Sequence, residues 1–330
     1  MGRSKPTAGA WEEEARRHDL LVRIARQYYL GNLTHEQIGV REGITRIKVT
    51  RLLKEAVTRG IVEFRIEDPI GQNLELEEKL QGEFGLQKAV VTASPRAARD
   101  SVYSLLGKAA ADFLVQKLRD DMNIGLGWGR TLSGMVPFLR RSNCRGIEVV
   151  SLTGGLAANS RQPNPYDVVS AAAEKLGASP RYPLVPAIVE SRQVRDLLMR
   201  DQRMVEIARS WKRIDIALVS IGVISPETGV YYSFPDPMLE ADRSRNAGAV
   251  GDMLALPFDR QGRFLKRPFL GRMVAIDLDD FSRIPCTVGV AGGEEKASAI
   301  LGALRTGKLN ILITDERCAR TLLAPHRAKS

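Results

Sequence analysis

Cysteine is scarce in this chain: Cys144, Cys286 and Cys318 are the only three in 330 residues, and they stand far apart. No Cys-x-x-Cys pair and no Cys/His cluster occurs, so the ligand spacing of a structural zinc site is missing, and no metal or cofactor is expected. A sparse, odd cysteine set suits a reducing compartment. Apolar runs are short as well. None approaches the roughly 18 residues of a membrane-spanning helix, so no membrane partner is expected. The first ten residues, MGRSKPTAGA, lack the apolar stretch of a secretory signal, and a cytoplasmic protein is expected. Acidic residues are outnumbered: 49 Lys and Arg against 39 Asp and Glu leave a formal charge of +10. That excess favours a polyanionic partner, nucleic acid first, and is silent about the fold.

What is present divides into a small and a large part. The length and a hydrophobic content of 44% support two domains. A helix is expected over Trp11 to Leu30, with Leu20, Ile24, Ala25, Tyr28 and Tyr29 as its apolar stripe. In LTHEQIGVREG, Thr34 is an N-cap and Gln37 completes a capping box, so a second helix runs to Gly43. Thr45 caps a third, in which Val49, Leu52, Leu53, Ala56 and Val57 follow the spacing of a buried face. Gly60 closes it, and IVEFRIED then alternates like a half-exposed strand. Helix, helix, tight turn, helix, strand is the order of a winged helix-turn-helix, assigned to residues 11–68.

The third helix carries Arg46, Lys48, Arg51, Lys54 and Arg59 against one acid, Glu55. Its apolar face is already assigned inward, so these residues project outward, as in a recognition helix lying in the major groove. Thr45, Arg46, Ile47, Lys48 and Thr50 are placed to meet base edges; Arg pairs with guanine and Ile47 meets a thymine methyl. Arg51, Lys54 and Arg59 are placed at phosphates, which supply affinity without sequence. Thr34, heading the preceding helix, joins the DNA-contacting set.

Residues 69–87 are expected to form a linker helix, with Leu76, Leu80 and Phe84 on one stripe that packs either on its own domain or on a partner subunit. From Lys88 to about residue 325, strands and helices alternate. KAVVTAS, NIGLGWG, GIEVVSLTGG, DIALVSIG, MVAIDL, CTVGVAGG and KLNILITDE read as strands of an open, mostly parallel α/β sheet of Rossmann-like type. Four of them end in glycine: Gly127 and Gly129, Gly154 and Gly155, Gly222, and Gly292 and Gly293. The carboxyl ends of such strands meet in one crevice where ligands bind. Glycine there lets backbone N–H groups approach an anion. In VAGGEEKASAI, Gly292 and Gly293 form a candidate cradle with Lys296 one turn on. In GWGRT, Arg130 supplies charge, Thr131 a cap and a hydroxyl, and Trp128 a stacking surface.

LTHEQIGVREGITRIKVTRLLKEAVTRGIVEFRIEDP resembles the DNA-binding domain of the SorC family of bacterial sugar-responsive transcription regulators. The likeness continues through IGLGWGRTL, VVSLTGG, ALVSIG, GAVGDML and GVAGGEEKASAILGALRTGKLNILITDE, and so spans about Leu20 to Leu323. It departs at IGVREG, where the family has something closer to IA-x-x-L-G; Gly39 is expected to weaken helix packing by about 1 kcal/mol. The resemblance implies an effector domain similar to sugar-phosphate isomerases and deaminases, a phosphorylated sugar or polyol as effector, double-stranded operator DNA as partner, and a homodimer or homotetramer. Carried over by motif, Gly127, Trp128, Gly129, Arg130 and Thr131 line one wall, Gly154, Gly155 and Gly222 another, and Gly292, Gly293 and Lys296 hold phosphate. Asp252 is a hydroxyl acceptor, and Asp315 either does the same or caps the last helix.

Isomerisation of such a sugar needs a base beside a carbonyl. The three histidines, His18, His35 and His326, fall outside the sheet, and Ser220 to Ser225 contain no acid. The expectation is therefore a sensor rather than an enzyme: a DNA-binding regulator of a carbohydrate or polyol operon controlled by a phosphorylated sugar. The alternatives are a sugar-phosphate isomerase or deaminase with a DNA-binding appendage, in which Asp252 or Glu294 would act as base, and an architectural DNA binder without a ligand.

Overall fold

Among the described residues of the N-terminal unit, Met1–Glu67, there are three helices: α1 (Ala8–Tyr29), α2 (His35–Glu42) and α3 (Arg46–Thr58). The computed structural model of the chain describes residues 8–62, 73–94, 99–156, 162–224 and 248–324. The expected wing strand lies almost wholly outside them. Both caps of α2 form as the sequence dictates. Thr34 Oγ1 accepts from the Gln37 N–H, the Gln37 side chain accepts from the Thr34 N–H, and Gly43 turns left-handed at φ 67°. Thr45 caps α3 by accepting from the Lys48 N–H.

The core of this unit is Leu21, Ile24, Ala25, Ile38, Val49, Leu52, Leu53 and Ala56. Each fully buried Leu or Ile contributes roughly 1.5–3 kcal/mol. Leu21 is the buried leucine of α1 and Leu20 only half-buried. Tyr29 and Val57, expected inside, sit in the last turns of their helices and are exposed. Gly39 is buried, with the Ile44 carbonyl 2.7 Å from where a Cβ would stand. The tight turn between α2 and α3 therefore presses on this residue. Glycine here is a packing requirement of the turn, and the expected weakening is corrected on that ground.

The second unit, Asp68–Ser330, opens with α4 (Leu74–Phe84), capped by Asn73 and ended by left-handed Gly85. Leu76 and Leu80 are buried in the core of the same unit, with Phe84 packed against it. Of the two alternatives for this helix, packing on its own domain is the one observed. Among the described residues the further helices are α5 (Arg99–Lys117), α6 (Arg130–Ser133), α7 (Pro165–Leu176), α8 (Arg192–Leu198), α9 (Gln202–Trp211), α10 (Leu278–Ser282), α11 (Ala297–Arg305) and α12 (Glu316–Leu323).

Seven parallel strands run in the order β1 (Lys88–Thr92), β9 (Ile311–Asp315), β8 (Cys286–Val290), β5 (Ile216–Val223), β2 (Asn123–Leu126), β3 (Glu148–Ser151), β4 (Ser179–Arg181). Period-two alternation sends their side chains to two cores. Ala217, Val219 and Ile221 face α4, α11 and α12, while Ile216 and Leu218 face α5, α6 and α7. The result is an α/β/α sandwich.

Two differences from the sequence reading matter. MVAIDL is not a strand of the sheet. It runs beside the extension of β3, where the Ile276 N–H donates to the Leu152 carbonyl and the Gly154 N–H to the Val274 carbonyl, and it forms only isolated bridges. An unexpected hairpin, β6 (Ala249–Met253) and β7 (Leu256–Asp259), folds back on β5, with Gly222 opposite Asp252. Its turn residues, Leu254 and Ala255, both have positive φ, 53° and 59°. That is the geometry of a tight two-residue hairpin, made here without glycine. Asp252 Oδ2 accepts from the Ala255 N–H at 3.1 Å and holds the turn.

Candidate functional site

On the N-terminal unit, Thr34, Thr45, Arg46, Ile47, Lys48, Thr50, Arg51 and Lys54 are all exposed, and Ile47 is 82% accessible. Thr50 is held by the Arg46 carbonyl at 3.2 Å and by His35 Nδ1 at 3.1 Å. Arg59 leaves the basic face: it pairs with Glu55 at 2.8 Å and with Glu14. Arg17 also reaches Glu55, at 2.7 Å, and its hydrogen bond holds that carboxyl below its ordinary value. The one acid of α3 is thus turned to the α1 side, which leaves the outward cations unneutralised by their own helix.

In the second unit, chain order reverses between β5 and β2. From β2 the chain steps outward through β3 and β4; from β5 it steps the other way through β8 and β9. A crevice opens at the carboxyl ends of strands where such a reversal occurs. A pocket lies there. One wall is Trp128, Gly129, Arg130 and Thr131, following β2; the other is Ser220, Ile221, Gly222 and Val223 of β5. Asp252, Lys296, Glu295, Tyr103 and Gln162 complete it.

Two cations meet at this pocket. Arg130 stacks on the Tyr103 ring at 4.9 Å and the Lys296 amine lies 5.8 Å from the same ring. Lys296 Nζ also donates to the Ile221 carbonyl at 3.3 Å. Burial, and then repulsion from Arg130, hold the Lys296 amine below its ordinary value, against the opposing pull of Glu295, Asp252 and Cys318. Opposite stands Asp252, only 2% exposed. Burial pushes its carboxyl up to about 7, although the Ala255 N–H and the Lys296 charge both favour the ionised form. Among the described residues its buried Oδ1 has no hydrogen-bond partner, and neither has Ser220 Oγ. Buried polar atoms left unpaired are rare, and here two share one pocket. Gly222 is glycine for a local reason: a Cβ would collide with Asp252 Oδ1.

Of the residues expected at an effector site, the fold brings Trp128, Gly129, Arg130, Thr131, Gly222, Asp252 and Lys296 to this pocket. It does not bring Gly127, Gly154, Gly155, Gly292 or Gly293 to the lining. The Gly127 N–H donates to the Leu218 carbonyl at 2.9 Å. The Gly154 N–H goes to Val274, and Gly155 packs against the Tyr166 ring. The expected phosphate cradle is already occupied: the Gly293 N–H donates to Asp315 Oδ2, and a Cβ on Gly292 would strike the same oxygen. Asp315 is the cap of α12, its Oδ1 accepting from the Arg317 and Cys318 N–H groups at 3.1 and 3.2 Å. Sequence reasoning missed Tyr103, Gln162, Ser220, Ile221, Val223 and Glu295. Tyr103 sits on the long helix α5 and carries no motif. Ser220 stands in β5 between apolar neighbours and carries no motif.

The family model of the Sugar-bind sugar-binding domain matches residues 68–324. Over 315 residues the chain is 31% identical to the erythritol catabolism regulatory protein EryD of Brucella abortus (strain 2308), covering 94% of this chain and 98% of that protein. The deoxyribonucleoside regulator of Bacillus subtilis (strain 168) is 27% identical over 311 residues, covering 93% and 98%. The crystal structure of the full-length sorbitol operon regulator SorC from Klebsiella pneumoniae superposes with a TM-score of 0.71 at 28% identity, covering 92% and 98%. The chain belongs to the SorC family of sugar-responsive transcription regulators. As a SorC-family protein it is a transcriptional regulator with a sugar-binding domain, and these relatives are named as regulators rather than enzymes. Among the described residues, no helix is long and apolar enough to cross a membrane.

Proposed function

We propose that the pocket between β2 and β5 is the effector site, that it takes a phosphorylated sugar or polyol, and that the exposed face of α3 reads operator DNA. The observation that carries this is the convergence of Arg130 and Lys296 with two buried acceptors that have no partner among the described residues, Asp252 Oδ1 and Ser220 Oγ, in one crevice. The cations attract a phosphate. The carboxylate and hydroxyl suit the hydroxyls of a polyol. Trp128 offers a flat apolar wall to the carbon skeleton. The protein works as a cytoplasmic homo-oligomer, dimer or tetramer, in which the ligand shifts the arrangement of paired DNA-binding units by its differential affinity for the two arrangements.

The test is a binding screen by thermal shift and calorimetry with the phosphates of erythritol, sorbitol and deoxyribose, against the unphosphorylated compounds. A ligand at about 100 times its dissociation constant stabilises by about 2.7 kcal/mol. Lys296→Ala should abolish that stabilisation and leave binding to the protein's own promoter DNA intact. Equal stabilisation of wild type and variant would remove Lys296 from the site. Turnover of any of these phosphates would favour the isomerase alternative, with Asp252, whose carboxyl lies near 7, as its base.

A further inference from the structure

We propose that Asp315 is a positioning residue that transmits occupancy of the pocket to the start of helix α4, through Gly293 on one side and through Ser94 and β1 on the other. The inference rests on reading the pocket as the effector site.

The links are short and mostly buried. Lys296 belongs to the tight turn Glu294–Lys296, which its own N–H closes onto the Gly293 carbonyl at 2.9 Å. Gly293 holds a left-handed backbone, φ 99°, and its N–H donates to Asp315 Oδ2. The other oxygen of the same carboxylate accepts from the Ser94 hydroxyl at 2.8 Å, and Ser94 in turn accepts from the Arg317 N–H at 2.9 Å. Ser94 lies two residues past the end of β1, where Thr92 is paired in register with Asp315.

On its outer edge β1 is held by the start of α4. The Val91 N–H donates to Glu77 Oε1 at 2.8 Å, and the Asn73 N–H donates to the Val91 carbonyl at 3.4 Å. Asn73 is also the cap of α4. In sequence it follows the N-terminal unit by only a few residues.

Two features set this chain of contacts apart from ordinary packing. Glu77 and Asp315 are both buried carboxylates, and both accept from backbone N–H groups of other elements, bonds stronger than neutral ones. The pocket end is also poised to move. Among the described residues, Lys296 Nζ donates to the Ile221 carbonyl at 3.3 Å and lies over the Tyr103 ring, contacts that an anion between Lys296 and Arg130 would replace. Re-aiming Lys296 turns the segment that carries the Gly293 N–H, and Asp315 is the acceptor that feels it.

The test is hydrogen–deuterium exchange on the full chain, with saturating inorganic phosphate as probe. In wild type, phosphate should slow exchange in the segment 292–297 and, by at least about fivefold, in the segment 73–84. Asp315→Asn keeps an oxygen for the α12 cap but turns an amide donor toward the Gly293 N–H. It should bind phosphate within about twofold of wild type, show the response at 292–297 and lose it at 73–84. Ser94→Ala, which leaves Asp315 Oδ1 as acceptor for the Arg317 and Cys318 N–H groups, should lose the same distant response, and Ser94→Thr should restore it. A response at 292–297 with none at 73–84 in wild type, or one that persists in both variants, overturns the relay and leaves the pocket standing. No response at 292–297 or at 127–131 overturns the reading of the pocket itself, and the relay with it.

Discussion

Asp252→Asn tests the electrostatics of the pocket without any ligand. The substitution is isosteric, keeps an oxygen for the Ala255 N–H and removes the ionisable group. In the folded chain the Asp252 carboxyl is pushed from 3.8 up to about 7. Folding therefore favours the protonated form, and the unfolded chain releases this proton first. The stability that wild type has below pH ~4 is lost as the pH rises toward 7, at about 1.4 kcal/mol per pH unit. Across the whole interval the loss is roughly 4 kcal/mol. The variant has no such loss. Its stability gap over wild type should widen by about 1.4 kcal/mol per unit between pH 5 and 7, then stop widening above pH 7. Lys296 moderates the gap, because its positive charge helps to hold the ionised carboxylate. Urea unfolding at half-unit pH intervals, read by tryptophan fluorescence, measures it directly. A gap that stays constant with pH would refute the claim that burial raises the Asp252 carboxyl in the folded chain.

Three further predictions concern the N-terminal unit. Arg46→Ala should weaken operator binding by about 1–3 kcal/mol and relax specificity at one base position; equal losses on operator and random duplexes in fluorescence anisotropy would contradict base reading. Lys54→Ala should instead weaken all duplexes alike and lower the salt dependence of log affinity by about 0.9. Gly39→Ala should destabilise the unit by about 1–3 kcal/mol despite the helix propensity of alanine, because the Ile44 carbonyl stands 2.7 Å from the new Cβ. Thermal unfolding by circular dichroism decides, and a stabilised variant would show that the turn yields.

Local chemistry was legible in the sequence wherever one helix or strand carries its own signal. The capping box of Thr34 and Gln37, the left-handed stop at Gly43 and the buried stripe of α3 from Val49 to Ala56 all act over one or two turns, and each formed as the residues dictate. The parallel sheet was legible for the same reason, since a strand buried on both faces is apolar at nearly every position. Strand ends in glycine were equally visible, yet their purposes were not. Gly222 makes room for Asp252, Gly292 makes room for Asp315, and Gly155 makes room for Tyr166.

These are contacts between residues 11 to 30 positions apart. They depend on which strands become neighbours, and strand order is set by the packing of helices on two faces rather than by any strand's own pattern. The sequence by itself determined the basic outward helix and the alternation of strands and helices. Only the tertiary structure decided that the chain reverses between β5 and β2, that a hairpin folds Asp252 onto the end of β5, and that Tyr103, Arg130 and Lys296 meet there. The physical reason is burial: an isolated stretch cannot show which of its polar atoms will lose water, and it is that loss which gives this pocket its chemistry.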